Sequence, residues 1–338
     1  SDEPDSVRLH ITVPDTLLAI GNGKLENIRK SDNKTTYSWF VNNPINNYNV
    51  SINVGNYVMV EDTLINNKGS QILSHFVINY NQDTAKKYFH QAKDVIHFFE
   101  KIFGEYPFWD DGYKLIETPY AGMEHQSGIA YGNGYITSGH YYIYDLVDYI
   151  ILHETAHEWW GNSLTSCDGA DVWIHESFAT YSEVLYLEEK LGKLISIDYL
   201  IKKRKHIQNK LPIVGPQHVN YWGFDDVYWK GAWVIHTLRF VINNDELFFR
   251  MLKESQKKFR HSVVCTTEFI QFINEMTSMK LNYFFDQYLF DRRPPVFEYY
   301  ANDTTFNYRW TGVVDNFIMP VGLLVNKEEL RVSPTHEF

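Results

Sequence analysis

Between Val7 and about residue 80, apolar and polar residues alternate with a period of two, the pattern that turns one face of a strand toward a core. VRLHITV, TTYSWFV, YNVSINVG and YVMVEDTL are runs of this kind, divided by Asn-rich turns, and GNG at 21–23 reads as a hairpin turn. From Thr84 the period changes to 3.6. TAKKYFHQAKDVIHFFEKIFG spaces its apolar residues three and four apart, which predicts one helix ending at Gly104, with Pro107 beyond it. YKLIET at 113–118 returns to a strand, and PYAGMEHQSGIAYGNGYIT reads as a glycine-rich loop with an edge strand. DLVDYIILHETAHEWW at 145–160 predicts a helix of about four turns, with Asp145 as cap, Asp148 as the acid of a capping box, and Gly161–Asn162 as its stop. Helical patterns recur at about 174–191, 196–209, 226–242, 245–258, 267–277 and 281–290. The paired prolines of RRPPVF at 292–297 end them, and EYYAND, TFNYRW and FIMPVGLLVN alternate again. The pattern predicts an α+β chain, mostly helical at its centre with β-structure on both sides. Its boundaries fall at 1–80, 81–292 and 293–338.

Composition narrows the function classes. A chain of 338 residues that is 44% hydrophobic can bury a large core, and 16% aromatic content suits big cores and aromatic-walled clefts. A net charge of −11 leaves no basic stripe to offset phosphate repulsion, so nucleic acid is excluded as a partner. The basic run KKRKH at 202–206 falls in a helical pattern and reads as a solvated face. No run of 18 apolar residues exists, so no transmembrane segment is expected, and SDEPDSVRLH at the start is not a signal peptide. Two cysteines, Cys167 and Cys265, make no disulfide framework; a single bridge stays open, and two thiols do not decide the compartment.

Chemistry concentrates on two of the helices. His153 and His157, four apart, share one helix face, so both rings can reach one ion, while Glu154 lies on the flank where a carboxylate meets metal-bound water. Two surface histidines beside a solvated acid would give the same spacing. Glu176, near the start of the next helix, can add the carboxylate that completes a three-ligand catalytic zinc site with one open position. Glu183, two turns further on, either accepts the second N–H of a ligand histidine or is a surface acid. His125 and His175 are set aside as ligands, because three already suffice and neither has matching spacing.

Three stretches together resemble one family. HETAHEWWGN with Glu176 in HESFA matches the gluzincin zinc signature, AGMEH at 121–125 resembles a GxMEN motif, and VYWKGAWVIHTLR at 227–239 resembles a helix bearing a catalytic tyrosine. In this order they are similar to the aminopeptidase N family of zinc metallopeptidases, in a GMEHQ variant. The resemblance implies a thermolysin-like catalytic domain at 81–292, the end of an N-terminal β-domain before it, and the start of a small β-sandwich after it. It implies one Zn²⁺ per chain on His153, His157 and Glu176, with Glu154 as general base and Tyr228 as oxyanion donor. Gly122, Met123 and Glu124 would bind peptide substrates, Glu124 facing the free α-amine. Tyr131, Tyr135, Tyr141 and Tyr142 wall a pocket, or pack in the core or on the surface. Two positions depart from the family: His125 stands for the motif asparagine, and Ser177 for the glycine that usually follows the third ligand. The upstream N-terminal part normally supplies a side chain that helps hold the amine, so amine binding is expected to be weakened. The implied function is removal of N-terminal residues from peptides. A thermolysin-type endopeptidase, a leukotriene-type epoxide hydrolase and a catalytically silent peptide-binding fragment are the alternatives. Exported bacterial relatives of the GMEHQ variant imply a periplasmic or secreted location, with the cytoplasm left open.

Overall fold

A computed structural model of the chain describes residues 3–138, 142–219 and 225–337. It divides into two compact units: Ser1–Thr165 with Ser182–Lys193 and Leu252–Val263, and Ser166–Tyr181 with Leu194–Met251 and Val264–Phe338.

The first unit begins with β-structure. Lys34–Val41 is the centre of a three-stranded antiparallel sheet, between Val7–Pro14 and Lys24–Ser31. Leu18–Gly21 pairs with Ile52–Gly55, so GNG at 21–23 carries the chain between sheets and is not the expected hairpin. The reason lies in Asn22, which is fully buried and used elsewhere. Its Nδ2 donates to the carbonyls of Asn49 (2.9 Å) and Gln126 (2.7 Å), and its Oδ1 accepts from the Ser51 N–H (2.7 Å). A buried amide with this many partners resists the turn that a free Asn-Gly would favour.

A five-stranded mixed sheet follows, in the order Tyr57–Asn66, Gly69–Ile78, Leu115–Glu117, Ile129–Tyr131, Gly122–Met123. The first two strands form a long hairpin, and the strands from Gly69–Ile78 through Ile129–Tyr131 run parallel. Gly122–Met123 lies antiparallel on the edge, with Ala130 opposite Met123 and Tyr131 opposite Gly122. The single helix expected from Thr84 is two, Gln82–Tyr88 and Gln91–Phe103. At Phe89 ψ opens to −8°, and the ring packs on Tyr131 (4.9 Å) and His75 (5.1 Å). Burying that ring is worth about 1.5–3 kcal/mol, which offsets helical bonding lost at the break. Gln91–Phe103 buries Ala92, Val95, Ile96, Phe99, Ile102 and Phe103, a stripe at three- and four-residue spacing, and ends on Gly104 at φ 102°. Phe99 and Phe103 meet Trp159 (5.7 Å) and Trp160 (5.5 Å), which anchors the end of the helix that carries the histidines.

That helix is Tyr149–His157, shorter than the sequence pattern suggests. Tyr144 and Asp145 have φ of 48° and 53° and form the turn of a small hairpin, Tyr142–Ile143 with Val147–Asp148. Asp145 therefore cannot be the cap, and Asp148 takes that place. Hydrogen bonding continues past His157 as far as the Trp160 N–H, before Gly161 turns the chain at φ 136°.

In the second unit, Lys193–Lys203, Trp229–Ile242 and Thr266–Thr277 are helical, and Asn282–Phe285 runs into a π-helical turn, Asp286–Phe290. Two separate hairpins end the chain, Val296–Ala301 with Phe306–Thr311 and Val321–Val325 with Glu328–Val332. The helices Trp173–Leu191 and Asp245–Lys258 contribute residues to both units. Cys167 and Cys265 form a disulfide across 98 residues of sequence. Closing so long a loop constrains the unfolded chain, so replacing both cysteines by alanine should cost about 2–5 kcal/mol. A denaturant melt under non-reducing conditions checks this by a lowered midpoint.

Candidate active site

The site begins with how its helix is held. Asp148 is fully buried, and its Oδ1 accepts the Ile151 N–H at 3.0 Å, a side-chain cap. Its Oδ2 accepts from the Tyr88 hydroxyl (2.7 Å) and from Asn133 Nδ2, and its own N–H donates to Gln91 Oε1 at 2.7 Å. Burial raises the Asp148 pKa against the lowering by these donors. The helix start is therefore tied to the helices Gln82–Tyr88 and Gln91–Phe103 rather than left to fray.

Both histidines are nearly fully buried, and each has its Nδ1 occupied. His153 Nδ1 lies 2.8 Å from Glu183 Oε1, and His157 Nδ1 lies 2.9 Å from the Trp160 carbonyl. A carboxylate and a carbonyl only accept, so each Nδ1 carries the proton in the neutral ring and each Nε2 presents its lone pair. The two Nε2 atoms are 3.2 Å apart. Two lone pairs at that distance repel unless a cation sits between them, and neutral imidazoles with Nδ1–H held by an acceptor are the donors that zinc takes. The residues present fit a zinc ion.

Glu154 is buried beside them, and its carboxylate has a specific space. A Cβ on Gly122 would stand 2.6 Å from Glu154 Oε1 and 2.8 Å from Ile150 Cγ2, so a larger residue there would push the acid or Ile150 from its present place. Carboxylate oxygens of Glu124 and Glu154 and a ring nitrogen of His157 lie within 4.8 Å of one another. Glu124 is buried too, with Oε1 accepting from the Tyr48 hydroxyl at 3.1 Å. Its backbone carbonyl accepts from Asn162 Nδ2 (2.8 Å), whose Oδ1 accepts from Asn49 Nδ2 (2.7 Å). Asn22 and the N–H of Gly23 hold the next residues, through the Gln126 carbonyl and Ser127 Oγ (2.9 Å). The loop that carries Glu124 is thus clamped by the preceding β-structure. His125 is pushed down to about 4 by burial, so its ring is neutral near pH 7, and its Nδ1 has no hydrogen-bond partner among the described residues.

The remaining residues fall as follows. Glu176 is in the first turn of the helix Trp173–Leu191, and Glu183 follows two turns later on the same face. His175 Nε2 accepts the Ser166 N–H at 2.7 Å, which makes that ring a structural acceptor. Tyr228 stands immediately before the helix Trp229–Ile242. Tyr131 is core, fully buried against Phe89. Tyr135 and Tyr142 line a cavity of about 560 Å³ with Tyr88 and Gln91, and that lining includes neither Glu124 nor Glu154. Tyr141 lies outside the described residues. Tyr48 and Asn49 lie in no quoted motif, and Asn22 and Asn162 read only as turn or helix-stop residues, so the ties that they make appear only in the folded chain.

The model of the peptidase family M1 domain matches residues 87–288. The chain belongs to peptidase family M1. It is 24% identical over 275 residues to the leucyl aminopeptidase of Saccharolobus solfataricus, a match covering 75% of this chain and 34% of that one. Aminopeptidase B of Rattus norvegicus is 24% identical over 195 residues, 52% of this chain and 29% of its own length. The M1 zinc metallopeptidase from Deinococcus radiodurans shares the fold, with a TM-score of 0.70 at 20% identity over 86% of this chain and 64% of that one. This M1 chain therefore spans about a third of the length of the curated relatives it matches. The α+β reading of the sequence and its resemblance to the aminopeptidase N family both agree with this membership.

Proposed function

We propose that this M1 chain is a zinc-dependent aminopeptidase that hydrolyses N-terminal residues from peptides. The pair of Nε2 atoms 3.2 Å apart, next to two buried carboxylates, is the observation that carries the reading. His153, His157 and Glu176 would hold the zinc. Glu183, on His153 Nδ1, would fix that ligand's tautomer and raise its basicity. Bound zinc supplies a Lewis acid for the water and the scissile carbonyl. Glu154 takes the proton of the attacking water and delivers it to the leaving nitrogen. Tyr228 donates a hydrogen bond to the oxyanion that develops on the scissile carbonyl. The free edge of Gly122–Met123 is the place where substrate backbone adds as a strand.

Glu124 supports the exopeptidase half of the reading. A charged α-amine in a buried cleft costs several kcal/mol unless an acid pairs with it, and Glu124 is the buried acid grouped with Glu154 and His157. A continuing chain would bring no charge to meet it, which disfavours an endopeptidase. The test compares wild type and Glu124→Ala on one aminoacyl amide, free and N-acetylated. Wild type should strongly prefer the free amine, and Glu124→Ala should lose most of that preference while keeping its zinc. Equal losses on both substrates would show that Glu124 does not read the amine.

Tyr228→Phe removes one hydroxyl and little volume. Its kcat should fall by about a hundredfold, as for other lost oxyanion donors, with a smaller change in KM. A shift confined to KM would make the tyrosine a ground-state contact.

The disulfide Cys167–Cys265 supports a periplasmic or secreted location, because such bonds persist in oxidising compartments.

A further inference from the structure

We propose that Ser177 is a positioning residue for Tyr228, an inference that rests on the roles of Tyr228 and Glu176 given above. Ser177 is fully buried, one residue past Glu176 in the helix Trp173–Leu191. A helical serine ordinarily donates back to its own helix or points to solvent. Here the hydroxyl leaves its helix and donates to the carbonyl of Val227 at 2.7 Å. That carbonyl belongs to the peptide group whose N–H is that of Tyr228. The same N–H donates to the Asp225 carbonyl at 3.1 Å, so both polar ends of one rigid peptide plane are held. Rotation of that plane would swing the Cα–Cβ bond of Tyr228 and with it the phenol.

The approach is close because Gly231 permits it. A Cβ there would stand 1.8 Å from Ser177 Oγ and 2.6 Å from Ser177 Cβ, so the helix Trp229–Ile242 lies with bare backbone against the serine. One turn further along the first helix, the Tyr181 hydroxyl meets His236 Nδ1 at 3.2 Å, a second tie between the same two helices. Ser177 is bonded to Glu176, and Val227 to Tyr228. The Ser177–Val227 hydrogen bond is therefore the tie nearest to both the metal ligand and the oxyanion donor, and it helps set the spacing between their backbones. A donor displaced by about 1 Å loses most of its effect on the transition state, which is why this spacing matters to rate more than to binding.

Ser177→Ala keeps the Cβ and removes the hydroxyl, leaving the Val227 carbonyl without that donor. Its kcat should fall about tenfold with KM and zinc content unchanged. Amide exchange across residues 225–232 should quicken, while Gln91–Phe103 stays as protected as before. In a Tyr228→Phe background the same substitution should cost less than about twofold, because the group it positions is gone. Ser177→Gly, which also lacks the hydroxyl, should match Ser177→Ala in kcat. Equal losses from Ser177→Ala in both backgrounds, or a loss confined to Ser177→Gly, would overturn the proposal. So would unchanged exchange across 225–232. A failure of the underlying reading looks different: Tyr228→Phe alone would then leave kcat unchanged.

Discussion

Glu154→Gln should bind zinc as wild type does and lose turnover by about 10²–10⁴-fold, the range for a lost general acid–base. The substitution keeps side-chain length and shape, so it fits the space left by Gly122, where a Cβ would come within 2.6 Å of the acid's oxygen. Neither histidine uses Glu154 to hold its Nδ1, since those atoms face Glu183 and the Trp160 carbonyl. Ligand geometry therefore survives the change. What is lost is a basic oxygen beside the attacking water, and an amide cannot replace it. Metal analysis alongside single-turnover kinetics separates the two quantities. A fully active Glu154→Gln enzyme would remove Glu154 from the mechanism, and a variant that loses zinc would make it a ligand.

The second large effect is on the metal itself. His153→Ala, His157→Ala and Glu176→Ala should each lose most of the bound zinc, and with it activity. Zinc binding stabilises only the folded chain, so added zinc should raise the melting temperature of metal-stripped wild type and leave the three variants nearly unmoved. His153→Ala carries a further cost. Glu183 is fully buried and loses the imidazole that stands 2.8 Å from its Oε1. Taking a hydrogen-bond donor away from a buried carboxylate is destabilising, so this variant should melt below metal-stripped wild type. Near-stoichiometric zinc in a protein lacking both histidines would refute the ligand assignment.

Local spacing makes part of this site legible in the sequence. Histidines four apart on a helix share a face, and an acid seven residues past Glu176 returns to that acid's face, because 3.6 residues complete each turn. The start of the histidine helix was misplaced by local signals. Asp145 and Asp148 both look like caps, and what decides between them is the Tyr142–Asp148 hairpin with Tyr88, Gln91 and Asn133 around Asp148. Those partners lie up to 60 residues away in sequence. The Glu124 loop shows the same limit more sharply. Its fixed shape depends on Tyr48 and Asn22, 76 and 104 residues distant from the groups they hold; Asn22 lies in GNG, which reads as a turn, and Tyr48 opens YNVSINVG, which reads as a strand. Long-range polar ties leave no period in a sequence, so no window along the chain could have revealed them. The Cys167–Cys265 pairing stayed open for the same reason, with 98 residues between its ends.

The most direct test of a zinc aminopeptidase is a zinc titration of metal-stripped protein, followed by hydrolysis of one aminoacyl amide and of its N-acetylated counterpart. Hydrolysis of the free-amine substrate should rise in proportion to added zinc and level off at one ion per chain, with the acetylated substrate left almost untouched. Activity that persists without metal, or a zinc-dependent rate equal on both substrates, would contradict the account.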